Sequence, residues 1–235
     1  MTHVRSTSGS PHARTTSAAT VRARLLGPHD ELRQLFSHAR DAAPTQTDPR
    51  GPLAACDTFL ATLSRHIAAV EDVVYPAARR RLPSGPRQVA QHVRLARGLE
   101  VTMRALEASF YGDSYAPSGS RTVLWRRMDR LLALHVDAEV ALLEALVPEL
   151  EPAEQHALAE RFEEAVVHGP TRPHPHSPHS SWLSPVQHRF WAVADRAMDV
   201  MDSRVIPVRP RRPRGRPGSL LTQYLSGTPT FVTRR

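Results

Sequence analysis

Apolar residues recur along this chain at helical spacing, and four long stretches carry the signal. In 28-PHDELRQLFSHARDA-42, Leu32, Leu35 and Phe36 form one stripe. Pro28 suits a first helical turn, where no amide partner is needed, and Asp30 and Glu31 favour the positive helix end. A second helix is expected from about Pro52 to Leu82, with Leu53, Phe59, Leu60, Leu63, Ile67, Val70 and Val74 facing inward. Pro76 lies inside that pattern and predicts a kink or break around residues 72–76. A third helix spans Arg87 to about Phe110, with Val89, His92, Val93, Ala96, Leu99, Met103 and Leu106 on one face. The fourth covers Arg121 to Val147, with Val123, Leu124, Met128, Leu131, Leu132, His135, Leu142 and Leu146 inward. A shorter amphipathic segment, 151–168, is expected to cap them.

The connections are rich in Pro, Gly and Ser, and no alternating strand pattern competes. The predicted fold is all-α: an antiparallel up-down four-helix bundle over residues 22–168. Residues 1–21 read as a disordered tail. Residues 169–235 read as an irregular Pro/His/Arg-rich extension with one short helix within 182–204 and an extended basic arm, 207–219.

Charge sharpens this division. The net charge is +8, yet residues 1–29 and 203–235 hold twelve arginines and no acid. The middle of the chain is therefore net acidic, about −4. A basic groove built into the folded part is not supported, so contact with nucleic acid or an acidic partner is expected only through the Arg-rich tail. One cysteine, Cys56, excludes an internal disulfide and a cysteine zinc cluster. No apolar run approaches the roughly 18–20 residues of a membrane span, and no secretory h-region opens the chain, so the expected location is the cytoplasm.

The candidate chemistry lies in the histidines. His29, His66, His92 and His135 fall one to a helix, each at or near an apolar stripe. Facing helices of a bundle bring such side chains together, and neutral imidazoles with carboxylates suit iron, manganese or zinc. Four residues turn a helix by about 400°, so His135 and Glu139 project within about 40° of each other and form a chelating pair. After His66 the matching position is Val70. Glu71 follows one place later, about 140° round from His66 on a regular helix, and returns only where the helix is unwound near Pro76. A lone histidine on an apolar face is usually a core residue; four, one per helix, are harder to dismiss. Tyr75 and Tyr111 read as packing residues. The cluster 174-HPHSPH-179 is broken by prolines, lacks a rigid frame and reads as linker.

The segments 28-PHDELRQLF-36, 66-HIAAVEDVVYP-76, 88-QVAQHVRLARGL-99 and 135-HVDAEVALLEAL-146 resemble the hemerythrin family in its bacterial HHE cation-binding branch. The resemblance covers about residues 22–150. Ferritin-like di-iron bundles use the order Glu-x-x-His, whereas here histidine precedes the acid. The resemblance implies a non-haem iron centre, bridged by carboxylates and open to O2, NO or peroxide, with His29, His66, His92, His135 and Glu139 as ligands. Two positions depart from the family pattern: Val70 stands where it places an acid, and Ala96 where many members place a further histidine. The implied site is incomplete, with Glu71 as a partial substitute. It is a five- or six-ligand iron site with extra water, a single-metal site, or a bundle that binds no metal. In the last case the chain is a degenerate bundle acting as an interaction module through its basic arm. Peroxide turnover needs an exposed metal position; binding or sensing alone does not.

Overall fold

A computed structural model of the chain describes residues 11–111, 120–172 and 194–195, with side chains from Val21 onward. The described backbone is helical, joined by short turns. Its elements are α1 (Pro11–Asp41), α2 (Gly51–Ala69), a π-turn (Val70–Val74), α3 (Tyr75–Arg81), α4 (Gly85–Tyr111), α5 (Arg121–Leu146), a 3-10 turn (Val147–Glu149) and α6 (Pro152–His168). Helix α1 lies against α2 and α6, α4 against α5, and α3 against α4. The short helix expected within 182–204 is described only at residues 194–195; the cluster 174–179 and the arm 207–219 lie outside the described residues.

Helix α1 differs from the sequence reading at its start. It runs from Pro11, inside the stretch expected to be tail, and Pro28 sits in its interior. Proline there removes the amide that would bond to the carbonyl of Arg24. Burial explains why the helix continues: Val21, Leu25, His29, Leu32, Phe36 and Ala39 are all buried and form one stripe across the proline. Each large apolar side chain so buried contributes about 1.5–3 kcal/mol, enough for a few of them to offset the cost of an interior proline, about 3 kcal/mol. Arg24 adds a hydrogen bond to Glu163 of α6 at 2.8 Å, and Arg22 pairs with Glu144 of α5.

The expected break near Pro76 is real and has a definite form. Pro76 occupies the first turn of α3, and the five residues before Tyr75 widen into the π-turn. The amide of Tyr75 donates to the carbonyl of Val70, an i→i+5 bond. The extra residue in the turn accommodates the proline ring, which a regular ladder would drive into the carbonyl of Asp72.

The stripe expected on α4 is buried throughout. On α5 the expectation fails at Val123, which is 55 % exposed, while Trp125 turns inward against Phe36 and Phe59. Val123 lies in the first turn of α5, where helical spacing alone does not decide which neighbour meets the core. Helix α6 opens with a reciprocal capping box between Glu151 and Glu154. It lies along α1, α2 and the π-turn, with Leu158, Ala159, Phe162 and Val166 buried.

The buried side chains form two apolar clusters. One gathers Val21 and Leu25 with the π-turn, α3, the end of α5 and α6. The other gathers Leu32 and Phe36 with most of α2 and the middle of α4 and α5. His29, His66, His92, His135 and Glu139 lie where the two meet, all buried.

Candidate metal centre

Each of these five residues reaches the interior for the same reason: it replaces one member of an apolar stripe. His29 stands between Leu25 and Leu32, His92 between Val89 and Ala96, and His135 with Glu139 between Leu132 and Leu142. His66 follows Leu63 on α2, and α2 is buried continuously from Phe59 to Ala69.

Glu139 is the hub. Its Oε2 lies 2.9 Å from His66 Nε2, 3.2 Å from His29 Nε2 and 3.6 Å from His135 Nε2. Only the first of these is aligned as a hydrogen bond. His29, His66 and Glu139 each offer a ligand atom within 4.8 Å of the others. His92 closes the layer from α4, its ring 5.7 Å from that of His135 and 5.8 Å from that of Tyr75. Phe162 of α6 covers His66 edge-on at 5.8 Å.

Glu71, like His92 and His135, is not one of the three residues whose ligand atoms lie within 4.8 Å of one another. The helix is unwound at this point, as its return requires, and Glu71 is buried. Its charge acts on Tyr75, four residues on. Val70 and Ala96 are both fully buried and supply only hydrocarbon. Sequence reasoning took no account of Phe162, whose place on an amphipathic helix gave no sign that it would lie on a histidine.

The electrostatics fit a cation-binding layer. Burial pushes the pKa of His135 down to about 3, so its ring is neutral at ordinary pH, the form that ligates metals. Burial also works against the Glu139 carboxylate, yet His66 and His29 hold its pKa well below the usual range. Among the described residues, His29 Nε2, His66 Nδ1, both nitrogens of His92, both of His135 and Glu139 Oε1 are buried without a hydrogen-bond partner. An unsatisfied buried polar group costs about 1–3 kcal/mol, so these together rival the net stability of a whole domain, about 5–15 kcal/mol. Imidazole nitrogens and a carboxylate gathered and left unsatisfied are what a bound cation would complete.

Residues 20–147 match the family described as the hemerythrin HHE cation binding domain. The chain belongs to that family. No curated protein and no solved structure matches it significantly. The hemerythrin match ends at the close of α5, so α6 lies beyond the matched residues while covering a histidine of the layer. Family membership implies a bound metal, typically iron, and the unsatisfied donors above fit one. Among the described residues, no helix is long and apolar enough to cross a membrane.

Proposed function

We propose that this hemerythrin-like chain is a non-haem iron protein that binds or senses O2, NO or peroxide, or handles iron. In this reading α1, α2, α4 and α5 form the antiparallel up-down bundle, and His29, His66, His92, His135 and Glu139 hold the metal. The observation that carries it is the gathering of three imidazole Nε2 atoms on one buried carboxylate oxygen. Bound iron supplies an open coordination position and redox chemistry. The chain's own part is to hold neutral imidazoles in place, to place one anion among them, and to keep water out with Leu32, Leu63, Ile67 and Val93. We place the protein in the cytoplasm, with no membrane insertion.

A second reading has its own support, because Val70 and Ala96 remove two donors. A degenerate, metal-free bundle would then serve as an interaction module through the 207–219 arm. Metal analysis with an optical spectrum of freshly purified protein separates the two. Iron at one or two per chain with near-ultraviolet oxo-to-iron bands supports the first. A protein without metal, fully helical after chelation, supports the second. Within the first reading, His135→Ala and Glu139→Ala each remove most of the iron, while changing His174, His176 and His179 together does not. Undiminished iron in the two bundle variants refutes the ligand set.

A further inference from the structure

Tyr75 is the largest fully buried side chain, and its hydroxyl has no hydrogen-bond partner among the described residues. Tyr111 shows the ordinary alternative: its hydroxyl donates to Asp57 Oδ2 at 2.8 Å. A buried phenol normally finds such a partner, because its O–H is costly to strip of water. The Tyr75 ring lies edge-on to His92, whose two nitrogens are themselves unpartnered. Burial above all, and then the carboxylates of Glu71, Glu139 and Glu100, hold its pKa well above the usual range, with Arg79 acting the other way. Tyr75 therefore borders the histidine layer, with three carboxylates and one guanidinium near enough to act on it.

Its place on the chain gives the reason. Val70 follows His66 by four residues, so it shares the histidine's face, but it brings no donor atom. The π-turn then inserts one residue, and Tyr75 becomes the residue bonded back to Val70, through its amide to the Val70 carbonyl. Beyond Val70 on this run, the Tyr75 ring meets a histidine of the layer edge-on. Charge points the same way. Glu139 is the single anion of the converging group, and the imidazoles are neutral when they ligate. A ferric ion held so leaves a large buried net charge, which a phenolate reduces by one. Tyrosine is an established ligand of ferric iron in haem proteins.

We propose that the Tyr75 phenol oxygen is a further ligand of the metal centre, replacing the donor lost at Val70. The proposal rests on the iron-binding reading above. Binding exchanges the O–H bond for an oxygen–iron bond; the proton leaves to solvent, and the iron keeps its oxidation state.

The test uses the full chain loaded with ferric iron, as wild type, Tyr75→Phe and Tyr111→Phe. The expected wild-type spectrum has a visible phenolate-to-iron charge-transfer band, and excitation into it enhances tyrosine ring modes in the Raman spectrum. Tyr75→Phe loses both signals while keeping its helical circular dichroism and most of its iron; Tyr111→Phe keeps both. Iron-loaded wild type without the band overturns this proposal alone, as does a band that survives in Tyr75→Phe. A wild-type chain that takes up no iron overturns the iron reading and this proposal together. Where Tyr75→Phe fails to fold, changing each of the other three tyrosines to Phe decides the matter: a band kept in all three assigns it to Tyr75, and a band lost in any one overturns the proposal.

Discussion

At the scale of single residues, the layer is defined by what it lacks. Glu139 has an imidazole at hydrogen-bond distance on one oxygen and nothing on the other. Glu139→Gln keeps the shape and removes the charge. We expect bound iron to fall by more than about tenfold, with helical content unchanged by circular dichroism. The metal-free protein should also show a directed response to acid. The folded chain keeps His135 neutral down to pH about 3, whereas an unfolded histidine takes up a proton below about pH 6.5. Glu139, held below its usual range, acts in the same direction at lower pH. The unfolded state therefore binds more protons, and stability is full above about pH 6.5 and declines from there toward pH 3. For His135 alone the loss at pH 5 is about 2 kcal/mol. Urea unfolding of the metal-free protein at pH 7 and pH 5 checks the sign: a midpoint that rises on acidification contradicts it. The four histidines and Glu139 were legible because each breaks an apolar stripe at helical spacing. The place of Glu71 was not, because it depends on how a widened turn aims its side chains.

At the scale of elements, prolines have opposite outcomes. Pro76 widens α2 into a π-turn, while Pro28 is absorbed into α1. The sequence reading set Pro28 in a first turn and Pro76 inside a helix, the reverse of where they sit in α1 and α3. The difference lies in the packing of the flanking turns: Val21 and Leu25 find a buried place upstream of Pro28, and tertiary packing outweighs the lost bond. That packing partner is α6, whose arrangement no local pattern discloses. The π-turn makes a second prediction. Asp72 is the least buried residue of that turn, and deleting it should restore an α-helical register. The closed turn would then press the Pro76 ring against the preceding carbonyl, so the deletion should cost about 3 kcal/mol in denaturant unfolding, while Tyr75, still bonded back to Val70, keeps its face toward His92 and the visible band expected above persists. The junction of α3 and α4 is less tolerant. A Cβ at Gly85 would lie 2.1 Å from the backbone oxygen of Ala78. Gly85→Ala should cost at least about 2 kcal/mol in denaturant unfolding, because neither backbone segment yields cheaply.

At the scale of the whole molecule, α6 converts an open-sided arrangement into a closed one. Phe162 is fully buried against His66, and Gln155 ties the start of the helix to the carbonyls of Val147 and Leu150. Replacing Phe162 by Ala should destabilise the fold by about 3–5 kcal/mol, readable as a lowered thermal midpoint. The same variant admits water beside a histidine of the layer. The all-helical class and the helix order were legible from periodicity and turn residues, since both are local. The side of the molecule that α6 occupies was not, because an amphipathic helix says that one face is buried and not against what.

The sheathing of α2 has a consequence for time rather than for affinity. This helix is buried from Phe59 to Ala69, and Gly169, just past the end of α6, sits so close that a Cβ there would lie 3.1 Å from the Arg65 backbone. A cation travelling between solvent and His66 on this side meets a packed helix rather than a channel. Exchange on this side waits for α6 to lift, a local opening whose frequency is set by the contacts of Phe162 and its neighbours. Release by this route would then be slow and steeply temperature-dependent even where binding is only moderately tight, and a disulfide engineered between α6 and α1 would slow it further without altering the equilibrium content.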